Sequence, residues 1–236
     1  MKKIIGLFLL FVTIFAFGFN ALKVDAASND VARLVIFSYD GNSAGATGSS
    51  TNFSGHSFLM VENISSSSIT VGQMTVTSGN VVTIGTWGNK DGHKGIWYNL
   101  ESYFANNGAY SGRVSIEENL TSSELSTLNE FINDNDKWTL FNNCSKFARE
   151  AWNSVSDTQL SSGWPSTPAK LKNSIKKNSY DVNVSIGYNS NVGYYDDGTF
   201  VSFNMTTLAY GRSGETTYTL DSDKANQMYN PCSFGE

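Results

Sequence analysis

The sequence predicts an α+β domain in which an antiparallel sheet packs against helices. Three observations predict it. Apolar strand-like runs joined by short polar turns occupy the first third of the exported part. Helical periodicity with recognisable caps takes over after residue 120. Strand-like patterning then returns near residue 180.

The chain starts with Lys2 and Lys3, followed by an uncharged, mostly apolar run from Ile4 to Phe19. Val24-Asp25-Ala26 sets small or apolar residues at the −3 and −1 positions of a cut. This is the layout of a secretory signal peptide, residues 1–26, cleaved after Ala26 or Ala27. The apolar run is shorter than the roughly 20 residues that span a bilayer. The expected destination is extracellular or cell-wall associated, in a bacterium, with no membrane partner after cleavage. About 210 residues would remain, enough for one full core. The expected division is a domain over 27–180 and a strand-rich C-terminal extension over 181–236, packed on the same domain.

The net charge is −5, only 16% of residues are charged and 13% are aromatic. The segment removed carries three lysines and one aspartate, so its loss makes the chain more acidic. Such a surface gains nothing from a phosphate backbone, so nucleic acid is excluded as a partner. No phosphate loop or dinucleotide fingerprint occurs, and two cysteines and two histidines make a poor metal set. No cofactor and no metal are expected. The oligomeric state is not legible.

In chain order, "VARLVIFSYD" (31–40) reads as an alternating strand and "HSFLMVEN" (56–63) as a second, across a Gly/Ser/Thr/Asn loop. "SSITVGQMTV" (67–76) and "NVVTIGTW" (80–87) supply one strand each, joined by Ser78-Gly79-Asn80. The polar loop "GNKDGHKG" leads into "IWYNLESYFA", and "GRVSIEE" (112–118) is a further strand. "TSSELSTLNEFINDND" then places Leu125, Leu128 and Ile132 on one helical face, with Thr121 or Ser122 as cap and Glu124 in the first turn. "NNCSKFAREAWNSV" is the second helix, capped by Asn142 or Asn143, with Cys144, Phe147, Ala148, Ala151 and Val155 on one face. "PSTPAKLKNSIKK" is the third, with Thr167 as cap and Pro168 at its first position. "YDVNVSIGYN" returns to strand, and "GYYDDGTFVSFNM" is a hairpin turning at Asp197-Gly198. The last sixteen residues carry no pattern.

Cys144 carries the functional question. At the first turn of a helix, free N–H groups and the helix dipole favour a thiolate. The same groups suit an oxyanion forming on a substrate carbonyl. A proton acceptor is then needed, and only His56 and His93 are histidines. His56 opens an apolar strand and has a fixed setting, whereas His93 sits in a polar loop, so His56 is the better general base. Two other roles stay open: a disulfide to Cys232, the simplest fate of two cysteines in an exported chain, and a small core residue. Trp87, Trp97 and Tyr98 around the glycine-rich loop suit either a peptide or glycan groove or ordinary strand-end packing. "SSGWPSTP" (161–168) suits a lid beside the cysteine helix or a rigid turn.

The segment "WTLFNNCSKFA", through Trp138, Leu140, Asn143, Cys144 and Phe147, resembles the circularly permuted papain-like superfamily. That superfamily includes the lecithin retinol acyltransferase-like, PPPDE-type and permuted NlpC-type hydrolases. "GHSFLMVEN" before "NNCSKFA" repeats its order of histidine strand and then cysteine helix. The resemblance spans roughly Val31 to Lys177. It implies a permuted papain-like fold and a thiol hydrolase in which Cys144 attacks an amide carbonyl and His56 is its base. The implied substrate is peptide, cell-wall peptide first. The third residue would be polar and on a nearby strand, with Gln73 the first choice and Thr75 and Asn63 the others. Trp138 stands where many members have Tyr. Trp138, Trp87, Trp97 and Asn143 are the expected substrate-binding set. A secreted, non-catalytic binding module on the same fold, with Cys144 bonded to Cys232, is the alternative. A redox-silenced enzyme combines the two.

Overall fold

The computed structural model describes residues 29–41, 55–87, 95–106, 108–139, 141–196 and 198–202. The signal segment, His93, Leu140 and Cys232 lie outside the described residues.

Ten strands and four helices are described. The strands are β1 (Asp30–Tyr39), β2 (His56–Asn63), β3 (Ile69–Val71), β4 (Met74–Val76), β5 (Val81–Thr86), β6 (Ile96–Tyr98), β7 (Val114–Thr121), β8 (Asp181–Val182), β9 (Gly193–Asp196) and β10 (Thr199–Ser202). The helices are α1 (Leu100–Asn106), α2 (Ser122–Asp134), α3 (Cys144–Asn153) and α4 (Pro168–Ile175). Eight strands form one antiparallel sheet in the order β10-β9-β6-β5-β2-β1-β7-β8. The α+β expectation therefore holds at the level of a large antiparallel sheet with packed helices.

The middle of the sheet explains its own sequence. β1 and β2 pair in one unbroken register from Ala32↔Asn63 to Tyr39↔His56. Both are covered on two faces, so "LVIF" and "FLMV" are continuous apolar runs rather than the alternation of a half-exposed strand. On one face Leu34, Ile36, Leu59, Val61 and Ile84 meet Leu125, Leu128, Ile132, Phe147, Ala148, Trp152 and Leu171 of α2, α3 and α4. On the other, Val35, Phe37, Phe58 and Met60 meet Tyr110 and Ile186, with Phe104 and Ala105 of α1 packed against them.

The helix starts follow the local signals. Thr121 and Glu124 form a capping box at α2. The Asn143 side chain accepts from the Ser145 and Lys146 amides at α3. Thr167 accepts from the Lys170 amide, with Pro168 opening α4.

Two expectations need correcting. "SSITVGQMTV" is not one strand. It is the hairpin β3–β4, a separate two-stranded sheet, because Gly72 takes φ +58° and turns the chain. Of "YDVNVSIGYN" only Asp181–Val182 pairs, against Val114 and Ser115 of β7. The chain there turns at Asn183, whose φ is +58° and whose side chain accepts from the Gly112 amide. The 193–202 hairpin forms and joins the sheet through Tyr98↔Gly193.

Leu59 is fully buried under α3, so Leu59→Ala lowers stability by about 2–5 kcal/mol. A urea midpoint that does not move would contradict this packing. Burial also pushes the Tyr98 hydroxyl from its ordinary 10.0 up to about 12, although it accepts from the Gln73 amide. Burial drives Tyr110 upward too. The folded state keeps these protons longer than the unfolded chain. Stability is thus undiminished below about pH 10 and falls as pH climbs toward 12. Tyr98→Phe removes part of that decline in a denaturation series across this range, and Tyr110 keeps the rest.

Candidate functional site

The His56 ring points to the α1 face of the sheet. It is 1% exposed and packs beside Phe58, Tyr110 and Trp87, at ring-centre distances of 5.6, 5.9 and 4.6 Å. Its Nε2 lies 2.9 Å from Oε1 of Glu101, which is fully buried. The same oxygen accepts from the Trp87 indole N–H at 2.8 Å, and Oε2 accepts from the Thr83 hydroxyl at 3.1 Å. An ionised carboxylate only accepts, so Nε2 carries the shared proton and Nδ1 is left as the acceptor in the neutral ring. Among the described residues Nδ1 has no hydrogen-bond partner.

This cluster is built by β5 and the start of α1. Asn99 adopts φ +63° between β6 and α1. Its amide donates to the Thr83 carbonyl at 2.9 Å, and its side-chain oxygen accepts from the Thr83 amide at 3.2 Å. The pair fixes the start of α1 against β5 and delivers Glu101 onto the sheet. The approach is close enough to require glycine at 85, where a Cβ would fall 1.9 Å from Glu101 Oε1 and 3.0 Å from His56 Nε2.

The helix that opens at Cys144, α3, packs on the opposite face through Phe147, Ala148, Ala151 and Trp152. Side chains of a strand alternate, so Ser57, Leu59 and Val61 face α3 while His56 and Phe58 face α1. The residue of β2 that meets the cysteine helix is Ser57, whose hydroxyl is 3.2 Å from that of Ser145. Ser57 and Ser38 are 2.9 Å apart, and Ser38 donates to the Pro168 carbonyl at 2.8 Å. This buried hydroxyl chain ties β1, β2, α3 and α4 together beneath the start of α3. Cys144 Sγ is 3.8 Å from the Ser145 hydroxyl, is fully buried and is disulfide-bonded. The only other cysteine in the sequence is Cys232.

The hydrogen bond of His56 thus goes to Glu101, and the residue of β2 that reaches the start of α3 is Ser57. Gln73 is part of neither contact. Gln73 sits in the β3–β4 turn and lines a small cavity with Tyr98, Asp136 and Tyr195 on the α2 side. Thr75 is exposed on β4. Asn63 is buried and donates to the Ser67 and Val76 carbonyls, a turn-holding role. Trp87 and Trp97 are 2% exposed each and pack with Leu100 and Val192. The groove expected of them is thus corrected to core packing, because Phe104 of α1 packs on the Trp87 ring and Tyr194 of β9 on the Trp97 ring. Asn143 caps α3 and donates to the Ser166 carbonyl at 2.9 Å. Trp138 is half-buried, and its indole N–H has no partner.

The residue missed by sequence reasoning is Glu101. Its signal was weak but present: one acid inside "IWYNLESYF", a segment otherwise apolar or neutral. A buried lone carboxylate must be paired with donors. Among the described residues no three His, Cys, Asp or Glu side chains gather as metal ligands would, and no helix is long and apolar enough to cross a membrane. No family model matches the chain, and no match was found among curated proteins or solved structures.

Glu101→Leu strands three buried donors at about 1–3 kcal/mol each, whereas Glu101→Gln keeps an acceptor for His56 and Trp87 and costs less. Equal urea midpoints for the two variants would show that the carboxylate network does not hold α1.

Proposed function

We propose that the mature chain is an exported binding module for cell-wall material, with Cys144 in a structural disulfide to Cys232. The observation that carries this reading is the state and place of Cys144. It is buried and disulfide-bonded, and the hydrogen bond of His56 Nε2 runs to Glu101 rather than to the cysteine. A thiol cannot act as nucleophile while its sulfur is bonded to another. A general base must also lie within hydrogen-bond reach of the proton it takes. The bond would close a loop of nearly the whole second half of the domain, a geometry that stabilises by about 4 kcal/mol in the chain-entropy account.

A second reading is favoured by one observation. His56 is held by a carboxylate at Nε2 while Nδ1 lacks a partner among the described residues, the arrangement a base needs before it meets its acid. Here the finer fold is the permuted papain-like one, and Cys144 is a hydrolase nucleophile that reduction releases. Glu101, not Gln73, then orients the base. That reading requires the thiol and the ring to meet around the end of β2.

Two measurements on the mature protein separate them. The binding module retains sedimentation with purified cell walls in Cys144→Ala/Cys232→Ala, releases no soluble fragments, and resists iodoacetamide until reductant is added. Labelling without reductant, with an apparent thiol pKa well below about 8.5 that moves in His56→Gln, would overturn it in favour of the hydrolase.

A further inference from the structure

Next to the start of α3, two large aromatic rings stand in solvent. Trp164 is 76% exposed and Phe141 is 61% exposed, yet they stack on each other, 5.5 Å between centres and 15° from parallel. Among the described residues the other exposed large apolar side chains, such as Ile64, Tyr188 and Val182, take part in no stacked ring pair. Single exposed apolar residues need no explanation, but a paired platform does.

The platform is held from below. "SSGWPSTP" proves to be a pinned turn. Asn143 donates to the Ser166 carbonyl, and the Ser162 and Ser166 hydroxyls are 2.9 Å apart. The Thr167 amide donates to the Ser162 carbonyl. The Lys170 ammonium caps the Trp164 and Pro165 carbonyls at 3.0 and 3.1 Å. On the Phe141 side, Asn142 binds back to Thr139 and Lys137. Trp164 thus presents its ring at little further entropic cost, the condition under which an exposed aromatic binds well.

We infer that the Phe141–Trp164 platform is a glycan-binding site that stacks the flat C–H face of an uncharged sugar ring. This rests on the binding-module reading and gives its ligand class: the glycan strand of the wall rather than its peptide. Three features choose this occupant. The area is too small for a protein. Two aromatic side chains bury at most about 150–250 Å² each. A stable protein interface takes about 800 Å² per partner. The chain neighbours of the two rings are uncharged, Asn142 after Phe141 and Gly163 and Pro165 around Trp164, with the Ser162 and Ser166 hydroxyls in the same turn, a setting that suits sugar hydroxyls and amides. Two cations stand nearby and both are engaged: the Lys170 ammonium lies on two carbonyls, and the Lys146 ammonium on Asn142 and Glu150, so neither is left free to select an acidic peptide.

The test uses the mature, oxidised protein with two probes: soluble chito-oligosaccharide and peptide-free glycan strands from purified walls. Binding is followed by tryptophan fluorescence and calorimetry in wild type, Trp164→Ala, Phe141→Ala and Lys177→Ala, the last an exposed control beyond the C-terminal end of α4. Both ring variants should lose at least tenfold in sugar affinity with melting temperature unchanged, and the control should not move. Equal affinity in Trp164→Ala, or competition by free stem peptide but not by sugar, would overturn the site. Wild type that sediments with whole walls while Trp164→Ala does so equally would overturn the platform and leave the binding module standing. Sugar binding lost in Trp164→Ala, without any retention on walls, would uphold the platform and sink the wall-binding reading. Binding to neither probe nor walls would overturn both.

Discussion

The rest of the structure depends on one constraint: β2 is covered on both faces, in unbroken register with β1. Its alternation then leaves no freedom. Every even-numbered residue from His56 to Met60 must face α1, and Ser57, Leu59 and Val61 must face α3. Rotating His56 toward α3 would take a one-residue slip. Such a slip would also carry Leu59 and Val61 out of the helical core and Phe58 into it. The apolar cost of that exchange far exceeds anything a single hydrogen bond returns.

Each face has then solved its own polar problem. On the α1 side, a fully buried carboxylate is met by three donors drawn from β2, β5 and the residue after β5. A buried charge survives only with such partners, and here the partners also register α1 against the sheet. On the α3 side the polar groups are small. Three serine hydroxyls let the start of α3 approach the sheet closely and satisfy one another. Neither arrangement needs a catalytic role to explain it.

The consequence for function is a shift of attention from the buried cysteine to the surface beside it. Asn143 links the two. It caps the helix that begins with Cys144 and also anchors the turn that carries Trp164. A residue read as part of a substrate site on the pattern around the cysteine therefore supports an exposed aromatic pair instead. Trp87 and Trp97, the aromatics that stood out in the sequence, are the ones the fold encloses.

The sequence by itself determined what is local. Thr121 with Glu124, Asn143 with Lys146, and Thr167 with Lys170 are contacts over three residues, so the three helix starts were legible before any fold was known. The existence of β1, β2 and β7 was legible from strand-like patterning between polar turns. Only the tertiary structure decided which way those strands face. "SFLMV" is apolar on both sides and carries no asymmetry from which to read an inside and an outside. It likewise decided that Glu101, 45 residues along the chain, partners His56. That pairing is set by the left-handed turn at Asn99 and by the bare glycine at 85, and neither is visible as a motif. The exposure of Trp164 and the burial of Trp87 were undecidable for the same reason. Identical side chains differ in role only through what the rest of the chain lays over them.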